Sequence, residues 1–161
     1  MVSPIQNRFY MEKRLEINFQ HYASIEEMPA EDRVLVEEAQ MALKQAHAPY
    51  SNFHVGAAAR LSNGTVLHAA NFESEVYPAG LCAERSLLFY VQTNFPNEQV
   101  ESLAIASEPS LRECYPCGQC RQVLVDVERR QGSPMRVIMS GAGSASVVEH
   151  AADLLPFTFT L

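Results

Sequence analysis

The chain has 161 residues, 47% hydrophobic and 19% charged, with a formal net charge of -7. The length suits one domain, since single cores are built from about 100 to 150 residues, and the composition excludes a disordered chain. The acidic balance, without a basic stripe, argues against a nucleic-acid polymer as partner, because phosphate neutralisation supplies most of that affinity.

In chain order, "MVSPIQNRFYMEKR" lacks a continuous apolar stretch for a signal peptide, and no run reaches the roughly 18 apolar residues of a membrane span. The expected location is the cytoplasm, with no membrane partner. In "RLEINFQHYA" (14–23), Leu15, Ile17 and Phe19 alternate with polar neighbours, which predicts a half-buried strand. Leu35, Ala39, Ala42, Leu43 and Ala46 recur at helical spacing behind an acidic start. They predict a helix over 31–46 that ends before Pro49. "FHVGAAARLSNGTVLHAANFE" reads as two antiparallel strands around a turn at 62–65, since Asn-Gly is the strongest short hairpin signal. Helices are predicted over 82–94 and 117–130, with a strand at "SLAIAS" between them, another at "MRVIMS", and a small loop at "GAGSAS". Strands alternating with helices after a hairpin predict an α/β class: one layered domain with a mixed five-stranded sheet flanked by helices.

Three of the four cysteines stand at the two later helix starts: Cys82 in "PAGLCAERSLLF", and Cys117 and Cys120 in "YPCGQCRQVL". In a reducing compartment clustered thiols point to metal or catalysis more than to disulfides. A Cys-x-x-Cys pair at a helix start brings two sulfurs within reach of one ion, and a catalytic zinc takes three protein ligands and leaves a position for water. Cys82 is the candidate third ligand, and Zn²⁺ the candidate cofactor. Such a metal lowers the pKa of its water to about 7. Three thiolates leave the centre at a charge of about -1, which helix N-termini and a cation can offset. Arg85, and Arg121 as a second candidate, are the nearest cations in sequence, and Arg85 is expected to donate to a thiolate sulfur. Glu84, two positions from Cys82, can stand beside the metal without binding it and carry protons. Two other readings stay open. Cys-x-x-Cys serves structural zinc sites and redox pairs too, and Cys114 has the spacing for a fourth structural ligand. In that case the chain would be a noncatalytic zinc-stabilised interaction module.

"CAER" followed by "PCGQCRQ", together with "APYSNFHVGAA" (48–58), "NFE" (71–73), "YPAGLCAER" (77–85) and "LLPFTF" (154–159), resembles the zinc-dependent cytidine deaminases in their short form with three cysteine ligands. The resemblance covers about residues 31–161, which makes this the expected catalytic domain and 1–30 an extension packed on it. It implies hydrolysis of cytidine and 2'-deoxycytidine to uridine and 2'-deoxyuridine with release of ammonia, in pyrimidine salvage. Cys82, Cys117 and Cys120 match the family's zinc ligands and Glu84 its proton shuttle. Asn71 and Glu73 match residues that hydrogen-bond the ribose, the backbone of Ala83 a contact to the pyrimidine edge, and Phe53 an aromatic that packs on the base. Phe157 and Tyr77 match residues supplied by a neighbouring subunit, in a homotetramer with shared active sites. The five histidines, His21, His47, His54, His68 and His150, are not expected to ligate.

The chain departs from the pattern in three places. Ser74, Glu75 and Val76 follow "NFE" where the family commonly has Asn-Ala-Ser, and Glu75 is expected to disfavour phosphorylated substrates by like-charge repulsion. Tyr115 replaces a small hydroxyl residue before Pro116, and Cys114 is an added thiol. A deaminase of another aminonucleoside is the enzyme alternative.

Overall fold

The computed structural model describes residues 11–161; the readings made of residues 1–10 lie outside them. The strands are β1 (Gln20–Tyr22), β2 (His54–Leu61), β3 (Val66–Ala70), β4 (Val100–Glu108), β5 (Arg136–Gly141) and β6 (Ser144–Val148). They form one sheet in the order β1-β6-β5-β4-β2-β3, in which only β4 and β5 run parallel. The helices are α1 (Ala30–Ala42), α2 (Ala83–Asn94) and α3 (Gly118–Gln131).

Period-two alternation sorts the core into two layers. Ala57, Ala59, Leu103, Ile105 and Val137 turn to the face covered by α2 and α3, where they meet Leu87, Leu88, Val91 and Leu124. Ala58, Ala104, Ala106 and Ile138 turn to the other face, against Leu35, Val36 and Ala39 of α1. The fold is therefore an α/β layered domain with a mixed sheet flanked by helices. Its small strand residues let the helices approach closely. At Gly56 a Cβ would stand 2.0 Å from the Ala39 carbonyl oxygen, so α1 can lie where it does only because that position is glycine.

The local signals set most boundaries. Glu31 and Asp32 occupy the first turn of α1, which gives way to a 3-10 turn at Leu43–Gln45 ahead of Pro49. The β2–β3 turn has Gly64 at φ 82° and Asn63 accepting from the Thr65 N–H at 2.9 Å. α3 ends where Gly132 takes φ 68°.

Two expectations need correction. The strand expected across 14–23 is confined to 20–22, and Leu15, Ile17 and Phe19 lie exposed before it. Among the described residues their alternation has no partner strand to bury it, because β6 pairs with Gln20, His21 and Tyr22 alone. The "GAGSAS" loop is instead a tight turn, with Ala142 at φ 52° and Gly143 at φ 83°, and Ser144 onward is β6. That strand brings the sheet to six strands instead of five. Its sequence, Ser-Ala-Ser-Val-Val, alternates over only four small residues that read as loop, and the ladder to β5 is what makes it a strand.

Candidate active site

The two helices on one face of the sheet start beside each other. Cys82 is the N-cap of α2 and Cys117 the N-cap of α3, both in extended conformation and neither capping through its side chain. Cys82 and Cys117 carbonyls accept the first helical bonds, from Ser86 and Arg121. The N–H groups of the first turns therefore remain without helical partners at the end where the sulfurs gather.

Cys82 Sγ lies 3.9 Å from Cys117 Sγ, which lies 3.5 Å from Cys120 Sγ, and all three fall within 4.8 Å of one another. Tetrahedral zinc–thiolate bonds of about 2.3 Å require sulfurs about 3.8 Å apart, so the three thiols fit one such ion, and the soft donor set suits it. Cys114 and the histidines are outside this group among the described residues, which removes the four-ligand arrangement. His47 instead stacks on Phe72, with centroids 4.7 Å apart, and His68 faces Glu38 at 3.2 Å.

The electrostatics follow from who donates to whom. Cys82 receives hydrogen bonds from Cys120, Arg85 and Cys117, and these outweigh burial and lower its pKa to about 5. Cys120 keeps the proton and is pushed up, by that same bond to Cys82 and by burial. Arg85 Nη2 reaches Cys82 Sγ at 3.8 Å, the contact expected of it. Arg121 turns elsewhere, donating to the carbonyls of Pro116 at 2.9 Å and Leu154 at 3.2 Å. Its part is to tie the segment before Cys117 to the C-terminal chain.

Glu84 stands in the first turn of α2, only 3% exposed, and its Oε2 has no hydrogen-bond partner among the described residues. Burial pushes its pKa up to about 7, and the charge on Cys82 adds to the rise. A carboxylate that titrates near neutrality beside a thiol cluster can both accept and return a proton.

The remaining candidates divide. Ala83 is fully buried at the start of α2. Phe53 lines a cleft of about 590 Å³ with Cys114 and Tyr115. Asn71 and Glu73 are occupied by the chain itself. Asn71 accepts from the Val55 N–H at 2.8 Å and donates to the Phe53 carbonyl at 2.9 Å, which fixes the strand start that carries Phe53. Glu73 accepts from the N–H groups of Tyr50 and Ser51 and from the Ser51 hydroxyl. The Ser51 hydroxyl and then the Tyr50 N–H hold its carboxyl below the ordinary value. Sequence reasoning missed this clamp, since a contact across 22 residues leaves no local signal. Tyr77 is 77% exposed and touches Tyr50 edge-on, Phe157 is 92% exposed, and Glu75 is exposed between the clamp and Tyr77.

The cytidine and deoxycytidylate deaminase zinc-binding region matches residues 29–132. The cytidine deaminase of Halalkalibacterium halodurans is 37% identical over 95 residues, 59% of this chain and 70% of that protein. That of Mycobacterium tuberculosis H37Rv is 30% identical over 129 residues, 76% of this chain and 85% of that one. The crystal structure of cytidine deaminase from Burkholderia pseudomallei superposes with a TM-score of 0.70 at 34% identity, covering 82% of this chain and all of that one. A mixed sheet that brings three thiols and a buried carboxyl to two adjacent helix mouths is the architecture of a hydrolytic deaminase. The chain belongs to the cytidine and deoxycytidylate deaminase family. No helix among the described residues is long and apolar enough to cross a membrane.

Proposed function

We propose that the chain deaminates cytidine and 2'-deoxycytidine to uridine and 2'-deoxyuridine, releasing ammonia, with Zn²⁺ held by Cys82, Cys117 and Cys120. The observation that carries this reading is the buried, unpartnered carboxylate of Glu84 next to three converging sulfurs. When bound, zinc supplies the Lewis acidity that makes a water nucleophilic near neutral pH.

Glu84 takes a proton from that water and passes it to the ring nitrogen N3 as the oxygen bonds to C4. The same carboxylate then takes the remaining hydroxyl proton and gives it to the exocyclic amine. The C4–N bond breaks, ammonia leaves, and C4 becomes a carbonyl. Burial, which raises the carboxyl's pKa, favours its holding a proton between the two transfers. Arg85 offsets the negative charge at Cys82, and the backbone of Ala83 meets the pyrimidine edge. Phe53, steadied by Asn71, packs on the base, and the Asn71 and Glu73 side chains face the ribose once they exchange their present partners for its hydroxyls. The exposed Tyr77 and Phe157 serve a neighbouring subunit's site in a homotetramer. Four free thiols suit a reducing cytoplasm, where the activity serves pyrimidine salvage.

The test is loss of cytidine absorbance on purified, zinc-loaded protein, with metal content measured in parallel. Turnover with about one zinc per chain, abolished by chelation and restored by zinc, is the expected result. Zinc-loaded protein without turnover on either nucleoside overturns the reading.

A further inference from the structure

Between β4 and Cys117 lies a buried charge that the deamination steps leave unused. Glu113 is 7% exposed, and four groups converge on its carboxylate. Ser144 Oγ donates to it at 2.8 Å, Tyr115 Oη donates at 2.9 Å, His21 Nδ1 stands 3.3 Å away, and the Ser146 hydroxyl faces it. Burial by itself raises its pKa, but the hydroxyls of Ser146, Ser144 and Tyr115, with His21, outweigh burial and hold the group below the ordinary carboxylate value. A buried carboxylate satisfied from several sides fixes the geometry of everything attached to it.

The partners come from separate parts of the chain. Tyr115 belongs to Glu113's own segment, Ser144 and Ser146 to β6, and His21 to β1, which precedes the family match at residue 29. The segment also lies hard against the β5–β6 turn. The Cys114 N–H donates to the Ser140 carbonyl at 3.0 Å, and a Cβ on Gly141 would stand 2.0 Å from the Arg112 carbonyl oxygen. Glu113, Cys114 and Tyr115 together share the cleft lining with Phe53.

We propose that Glu113 is a positioning residue, gripped by β6 and by His21, that fixes the Cys114 wall of the nucleoside cleft and thereby sets substrate affinity. The strand outside the family match thus serves the site without touching substrate. The inference rests on reading that cleft as the nucleoside site.

The test compares zinc-loaded wild type, Glu113→Gln, Tyr115→Phe and His21→Ala by two readouts. The first is the separation of KM from kcat on cytidine. The second is the rate at which iodoacetamide alkylates Cys114, read by peptide mass spectrometry; zinc shields the other three thiols. Glu113→Gln is expected to raise KM about fivefold with kcat moving less than about twofold, since one buried acceptor is lost and no group of the proton relay changes. Cys114 alkylation should quicken by about tenfold as its segment loosens, with smaller changes in the same direction for the other two variants. Unchanged KM, or a fall confined to kcat, overturns the proposal, as does an unchanged Cys114 rate. If wild type does not act on cytidine, the functional reading fails, and the Cys114 rates alone decide the positioning role. If Glu113→Gln does not fold, Tyr115→Phe and His21→Ala carry the test, the His21 side chain being 53% exposed.

Discussion

Glu84→Gln separates what the carboxyl does for chemistry from what it costs the fold. The substitution keeps size and burial but removes ionisation. In the metal-free, reduced protein the Glu84 pKa rises from 4.5 to about 7 on folding, because ionising it at 3% exposure forfeits hydration. Between those values the unfolded chain has lost the proton and the folded chain still holds it, so raising the pH drains stability from wild type and not from the variant. At 1.36 kcal/mol per pH unit the difference grows to about 3 kcal/mol by pH 7 and stays level above it, and it vanishes below about pH 4.5. Urea denaturation of both proteins at pH 5 and pH 8, with chelator and reductant, measures it. In the zinc-loaded enzyme the same change should lower kcat by about 10²- to 10⁴-fold while metal content holds. A stability difference that is flat with pH refutes the burial argument. A variant that keeps kcat within about tenfold refutes the proton-carrier role.

Three further outcomes follow from particular contacts. Gly56→Ala places a methyl 2.0 Å from the Ala39 carbonyl oxygen and should destabilise by about 2 to 3 kcal/mol as α1 is pushed from the sheet, read by urea unfolding. Asp32→Asn breaks a buried 2.9 Å pair with Arg136, which keeps Glu149; a loss of about 2 to 3 kcal/mol is expected by the same method. Phe157→Ala, at a side chain 92% exposed, should leave unfolding within about 0.5 kcal/mol yet reduce cytidine turnover. Mixing its subunits with Glu84→Gln subunits should restore part of that turnover, and no recovery refutes shared sites.

How much was legible depends on how far apart the participants lie in the chain. Glu84 and Cys82, or Cys117 and Cys120, are turn-mates whose spacing and helix-start position can be read directly, and the starts of α2 and α3 fall where those residues indicate. The unbroken small and apolar runs within "FHVGAAARL" and "SLAIAS" likewise suit strands buried on both faces. The strand at 144–148 has a polar start and no such pattern, so only its ladder to β5 reveals it. The alternation of Leu15, Ile17 and Phe19 pointed the other way, toward a strand that nothing among the described residues pairs.

The order of residues alone determined the helix starts, the hairpin, and the thiol and carboxyl chemistry available at two helix mouths, since each depends on neighbours within a turn or two. Only the tertiary structure decided that Cys82 meets Cys117 across 35 residues, that Glu73 is clamped by the 50–51 turn, and that Glu113 gathers donors from β1 and β6. The physical reason is that propensity and periodicity act locally. Which mouths face each other, and which carboxylate is desolvated, is settled by how helices pack on a sheet whose strand order no short window contains.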